Sequence, residues 1–194
     1  MARNKKKPLP GRLRIVAGKW RSRLLDIADV PGLRPTSERI RETLFNWLAP
    51  TIAGSRCLDL FAGTGALGLE ALSRDAAHVV FVEKSRKAVE TLEHNIDLVG
   101  AACAATVHRA DAFEFTAQSE RGPFEVVFLD PPFAADMLDD LCRLLDQGTL
   151  LAKGALIYIE EGNAKPTVNI PTGWQTLRTK AAGNVRYSLL KAGA

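Results

Sequence analysis

Three features predict an α/β fold with a mainly parallel seven-stranded sheet, an antiparallel edge hairpin, helices on both faces and a small N-terminal β-hairpin extension. From Cys57 onward, short apolar runs alternate with segments of helical period, the pattern of parallel strands joined by crossover helices. A glycine-rich loop, Asp59-Leu60-Phe61-Ala62-Gly63-Thr64-Gly65-Ala66-Leu67-Gly68, joins the first of these runs to the first helix. Near the carboxyl end, two further runs meet at Ala182-Gly183-Asn184, a composition suited to a tight hairpin turn.

Residues 1–11 read as a flexible basic tail, with Pro8, Pro10 and Gly11 after a run of lysines. Residues 12–50 read as a basic hairpin and helix. Leu13-Arg14-Ile15-Val16-Ala17-Gly18 and Arg21-Ser22-Arg23-Leu24-Leu25 alternate well enough to pair, with basic exposed positions. Pro35-Thr36-Ser37 then starts a helix, with Glu38 in its first turn. Ile40, Leu44, Trp47 and Leu48 share one face, and Pro50 ends it. Residues 51–194 hold the main domain. Strands are expected at 57–61, 79–82, 105–108, 125–129 and 155–159, helices at 67–74, 86–99 and 137–145, and the edge hairpin at 174–180 and 185–190.

The formal net charge is only +4, but it is unevenly placed. Residues 1–41 carry twelve Lys or Arg and three acids, a balance of +9 that leaves −5 on the rest. A basic arm on an acidic body suits a polyanionic partner. Cys57, Cys103 and Cys142 are widely spaced and odd in number, and His78, His94 and His108 have no ligand spacing, so reduced thiols and no metal site are expected. No run approaches the roughly 18 apolar residues of a membrane span. The basic amino terminus lacks an apolar segment behind it, so a soluble, cytoplasmic protein is expected.

The candidate site residues stand at strand ends. Gly63, Gly65 and Gly68 match G-x-G-x-x-G, where small residues let a ligand approach the backbone closely. Glu83 follows Gly63 by twenty residues, at the place where a carboxylate accepts hydrogen bonds from ribose hydroxyls. NAD would fit that pair equally well. Asp59 at the first strand end and Asp111 after the third make a set of three acids, which suits a ligand with an amine, a ribose and an adenine amino group. S-adenosyl-L-methionine has all three. Phe61, Thr64, Lys84, Ala112 and Asp130 complete the candidate cofactor contacts.

Asp130-Pro131-Pro132-Phe133 follows the apolar run Val126-Val127-Phe128-Leu129. Two prolines stiffen this turn and remove two backbone donors. The Asp130 carboxylate and the Pro131 carbonyl can both accept from a planar amine whose ring lies against Phe133, so Asp130, Pro131, Pro132 and Phe133 are the catalytic candidates. Arg12, Arg14, Lys19, Trp20, Arg21 and Arg23 form a basic, partly aromatic surface suited to phosphates and unpaired bases. Arg39 and Arg41 on the following helix extend it.

These stretches resemble the Rossmann-like class I methyltransferases and, more closely, the RsmD-type family that methylates the exocyclic N2 of a guanine in 16S ribosomal RNA. Besides the glycine loop and Asp130-Pro131-Pro132-Phe133, the resemblance rests on Arg14-Ile15-Val16-Ala17-Gly18-Lys19-Trp20-Arg21 and Arg34-Pro35-Thr36-Ser37-Glu38-Arg39-Ile40-Arg41-Glu42-Thr43-Leu44-Phe45-Asn46, and on the closing Gly183-Asn184-Val185-Arg186-Tyr187. It implies guanine 966 as the target, presented within the small ribosomal subunit or its assembly intermediate. A monomer is expected. The residues alone do not select the base, because an N6-adenine methyltransferase of DNA or RNA would use the same amine clamp. A non-catalytic RNA-binding ribosome-assembly factor would need the basic arm but none of Asp59, Glu83, Asp111 or Asp130, and an NAD oxidoreductase would need a hydride-site residue that the chain lacks.

Overall fold

Apolar residues at consecutive strand positions point to opposite faces of a sheet, so strands that are apolar throughout must be covered on both sides. The computed structural model meets this requirement and describes residues 11–31, 35–117, 121–132, 137–164 and 167–193. Phe133, Arg34 and residues 1–10 of the basic tail lie outside the described residues.

The elements are β1 (Arg12–Arg14), β2 (Leu24–Asp26), α1 (Glu38–Leu48), β3 (Arg56–Asp59), α2 (Ala66–Ser73), β4 (His78–Glu83), α3 (Arg86–Val99), β5 (Ala105–Arg109), α4 (Ala112–Thr116), β6 (Phe124–Leu129), α5 (Leu138–Gln147), β7 (Leu151–Gly162), β8 (Gln175–Ala182) and β9 (Val185–Lys191). Seven strands form one sheet in the order β5-β4-β3-β6-β7-β9-β8, and β1 pairs β2 separately. The pairings from β5 through β7 are parallel, while β9 is antiparallel to both β7 and β8. The sheet is therefore the expected one, with its antiparallel hairpin at the edge.

Two apolar clusters flank the sheet. Cys57, Val79, Phe81, Val126, Phe128 and Tyr158 face one of them, together with residues of β1, β2, α1, α2 and α3. Leu58, Val80, Val82, Val127, Leu129 and Ile157 face the other, under α4 and α5. All eight residues of α2 are buried, its polar Glu70 and Ser73 included.

Several elements differ from expectation for identifiable reasons. The amino-terminal ladder is short because residues 16–20 are drawn off by α2. Glu70 accepts from the Val16 and Ala17 N–H groups, and Lys19 N–H donates to the Ser73 carbonyl. Strand β7 begins earlier than expected, at Leu151, because a register irregularity opposite residues 124–126 lets both halves pair with β6. The short helix α4, which was not expected, starts on Asp111, whose carboxylate accepts from the Phe113 N–H at 2.9 Å. No helix among the described residues is long and apolar enough to cross a membrane.

Candidate active site

The sheet order reverses between β3 and β6: from β3 the chain builds outward through β4 to β5, and only later returns to place β6 on the other side. In open parallel sheets the crevice at such a switch point, beyond the carboxyl ends of the strands, is where ligands bind. A cleft of about 470 Å³ lies there, walled by Asp59, Phe61, Gly63, Thr64, Glu83, Lys84, Asp111, Ala112, Asp130, Pro131 and Pro132, and roofed in part by Pro35 and Thr36. This volume falls in the usual range for small-molecule sites, about 300–1,000 Å³.

Three of the four acids accept from backbone N–H groups, and the fourth, Asp130, from a side-chain hydroxyl. Asp59 ends β3, is 2% exposed, and accepts from the Gly68 N–H at 3.1 Å. Burial pushes its carboxyl up to about 7, against the opposing hydrogen bonds from Gly68 and Phe61. Glu83 ends β4 and accepts from Gly63 at 2.9 Å and Ser85 at 2.7 Å, which clamps the glycine loop over the second strand. Asp111 pairs with Lys84 at 3.0 Å, and that hydrogen bond, reinforced by the Phe113 N–H, holds its carboxyl below the usual range despite some burial. Asp130 follows β6, and the Thr36 hydroxyl donates to its Oδ2 at 2.9 Å. Burial, followed by the charge of Glu160, pushes Asp130 well up.

Gly65 and Gly68 do not wall the cleft. Gly65 starts α2 at φ 89°, and a Cβ on Gly68 would come within 2.1 Å of the Phe81 ring, so the two glycines serve the turn and the helix-to-sheet contact. Pro131 and Pro132 lie at the cleft.

One expectation is corrected. Arg41, read as an RNA contact, is 0% exposed. Its guanidinium pairs with Glu70 at 3.2 Å, donates to the Arg14 carbonyl at 2.7 Å and to the Thr36 carbonyl at 3.2 Å, and so faces the interior. Arg12, Arg14, Lys19, Arg21, Arg23 and Arg39 are exposed. Trp20 is half-buried against the core, with the Lys19 ammonium 4.5 Å from its ring centroid. Sequence reasoning missed Thr36, Tyr158 and Glu160 around Asp130. Glu160 ends a run of apolar β7 residues, which was the only signal available.

The chemistry of the cleft fits one kind of occupant. Four acids and one lysine leave it net negative, which disfavours a pyrophosphate and favours a cation. The Thr64 hydroxyl is buried without a hydrogen-bond partner among the described residues, as a group awaiting a ligand would be. Asp59, Glu83 and Asp111 offer acceptors for an amine, a ribose and an adenine amino group, so these residues fit S-adenosylmethionine.

Fold and site together define a class I methyltransferase. The model of the family described as conserved hypothetical protein 95 matches residues 13–191. Ribosomal RNA small subunit methyltransferase D of Escherichia coli is 47% identical over 95% of this chain and 92% of its own length, and its Haemophilus influenzae counterpart is 42% identical over 92% and 93%. A putative methyltransferase of known structure from Escherichia coli superposes with a TM-score of 0.87 at 43% identity, covering 95% of this chain and 99% of that one. The chain belongs to this RsmD-type methyltransferase family.

Proposed function

We propose that the protein transfers a methyl group from S-adenosyl-L-methionine to the exocyclic N2 of a guanine in 16S ribosomal RNA. Family resemblance points to guanine 966, within the small ribosomal subunit or an assembly intermediate, and the enzyme acts as a cytoplasmic monomer. The observation that carries this reading is the meeting in one cleft of Asp130 and Pro131 with Asp59, Glu83 and Asp111.

S-adenosylmethionine supplies an electrophilic methyl group on a sulfonium cation when bound. Asp59, Glu83 and Asp111 hold it and offset its charge. The guanine N2 lone pair is delocalised into the ring and is a poor nucleophile until its two N–H groups are held out of conjugation. Asp130 and the Pro131 carbonyl accept those two hydrogen bonds and aim the lone pair, so most of the catalysis is positioning. Phe133, directly after the two prolines, is assigned the face of the extruded base, where stacking is worth about 1–3 kcal/mol. The alkylated nitrogen is acidic and loses its proton to Asp130 or water. Arg12, Arg14, Lys19, Arg21 and Arg23 are assigned to the RNA backbone.

The test uses small subunits and naked 16S RNA from a strain lacking the enzyme, with mass spectrometry of the nucleosides after reaction. N2-methylguanosine is expected from the subunits. N6-methyladenosine, or no product together with no methyl-donor binding, overturns the reading.

A further inference from the structure

Positive charge concentrates at a second place in the chain, one that the chemistry above does not use. Residues 175–191, which form the edge hairpin of β8 and β9, carry Arg178, Lys180, Arg186 and Lys191 and no acid, a balance of +4. Residues 42–174 hold ten Lys or Arg against nineteen acids, a balance of −9. The basic amino-terminal segment and this hairpin therefore bracket an acidic middle. Strand β8 is the last of the sheet and is exposed at seven of its eight positions. Arg186 is taken by Glu161 at 2.7 Å, but Arg178, Lys180 and Lys191 are exposed and have no carboxylate partner among the described residues.

The strand register places these three cations on one side of the sheet. Side chains directly opposite on neighbouring strands share a face. Lys180 stands opposite Tyr187, Arg178 opposite Leu189, and Lys191 opposite Leu156. Tyr187, Leu189 and Leu156 all pack into the cluster that also takes Leu13 and Leu25 of the amino-terminal hairpin, so both basic segments lie on that side. Helix α1 touches the two of them, binding the Arg14 carbonyl through Arg41 and stacking Trp47 on Tyr187 with ring centroids 5.5 Å apart. The Lys180 ammonium lies 6.0 Å from the Trp47 centroid, at the edge of cation–π range. The Lys191 stem crosses Gly154, where a Cβ would come within 3.2 Å of its Cε. Both lysines thus have a seat on the protein, which lowers the entropy lost when a partner fixes them.

We propose that Arg178, Lys180 and Lys191 form a second phosphate-binding surface for the RNA substrate, on the same side of the sheet as the basic amino-terminal hairpin. The inference rests on the RNA reading of the proposed function and deepens it, because it assigns residues of the carboxyl-terminal hairpin to the substrate. Charge complementarity selects the occupant. Three exposed cations, on two strands without an acid, fit a polyanion, and such contacts hold a phosphate backbone without regard to base sequence. Charges on an edge strand also discourage pairing with another chain. That role needs charge of either sign and no RNA, so the two roles predict different behaviour.

The experiment titrates wild type and variants against small subunits and against naked 16S RNA, both from a strain lacking the enzyme, across a salt series. Methyl-donor affinity, melting temperature and self-association are followed in each. Replacing Arg178, Lys180 and Lys191 together with Gln lowers the magnitude of the slope of log affinity against log salt by about 2 on both substrates, at about 0.7 per contact, with donor affinity unchanged. Arg178→Lys with Lys180→Arg keeps the charge and the wild-type slope. Arg178→Glu with Lys180→Glu leaves the edge charged yet weakens RNA binding further than Arg178→Gln with Lys180→Gln. Arg143→Gln, on α5 over the other face of the sheet, retains the wild-type slope. A wild-type slope in the triple variant, or an equal loss per charge in Arg143→Gln, overturns the proposal. So does a loss seen on subunits but absent on naked RNA, which assigns the edge to a protein partner. Self-association of the triple variant with an unchanged slope overturns it too and leaves the cations as edge guards. In each of these cases methylation of small subunits by the wild type keeps the proposed function standing; a wild type that neither binds nor methylates them removes both.

Discussion

Asp59 is a carboxyl that nearly no water reaches, held by two backbone N–H groups and pushed up to about 7 by burial. A cation placed beside it favours the ionised form, so binding the methyl donor must expel a proton from whatever fraction still holds one. The sign follows directly. Below about pH 7 the cation competes with that proton, and affinity falls by up to about tenfold per pH unit; above it the affinity levels off. Calorimetry in buffers of different ionisation enthalpy should detect proton release at pH 6.5 and little at pH 8.5. Asp59→Asn should weaken binding and abolish its pH dependence, whereas an affinity independent of pH in the wild type contradicts the assignment. Asp130 is the residue proposed for the chemical step: Asp130→Ala should lower turnover by about 100- to 1,000-fold, the usual loss for one preorganised polar group, and weaken calorimetric donor binding less than Asp59→Asn does.

Among the elements, α1 and α2 are joined by a buried ionic network that determines where the amino-terminal hairpin sits. Both Glu70 oxygens are shared by Val16, Ala17, Arg41 and Arg74, at distances of 2.8–3.2 Å. Removing Arg41 leaves buried Glu70 with Arg74 as its remaining cation, at a cost of up to about 3–5 kcal/mol. Arg41→Met should therefore shift the urea midpoint substantially downward. A variant with wild-type stability and weakened RNA binding would restore Arg41 to the RNA surface. Its interior position was partly legible in the sequence: Arg41 shares a helical face with Leu44, Phe45 and Leu48, all buried. The inner parallel strands were legible because they are short apolar runs ended by an acid or a turn, which also made the acids Asp59 and Glu83 legible, whereas β5, Ala105-Thr106-Val107-His108-Arg109 at the sheet edge, carries a weaker signal. The hydrogen bond from Thr36 to Asp130 was not, because it forms between segments far apart in the chain. Nor was the diversion of residues 16–20 to Glu70 and Ser73, since an alternating pattern does not reveal a competing partner on a distant helix.

For the whole molecule, the network ties the basic hairpin to the segment that enters the cleft wall at Thr36. Arg41 binds the carbonyl of Arg14, in the hairpin, and that of Thr36, on the cleft wall, while Arg14 itself lies 3.9 Å from Glu38 at the start of α1. Arg12, Arg21 and Arg23 are exposed on the same hairpin, and Lys19 covers Trp20. If these residues hold phosphates, each contact releases condensed counterions, and for single-stranded RNA the slope of log affinity against log salt changes by about 0.7 per contact. Replacing Arg21 and Arg23 with Gln removes two candidate contacts without touching Glu70, Ser73 or the hairpin ladder. The magnitude of the slope should drop by about 1.4, with affinity lower at every salt concentration and donor affinity unchanged. Binding titrations of small subunits across a salt series measure this directly. An unchanged slope and affinity would remove the hairpin from the RNA interface and leave its basic residues as solvated surface.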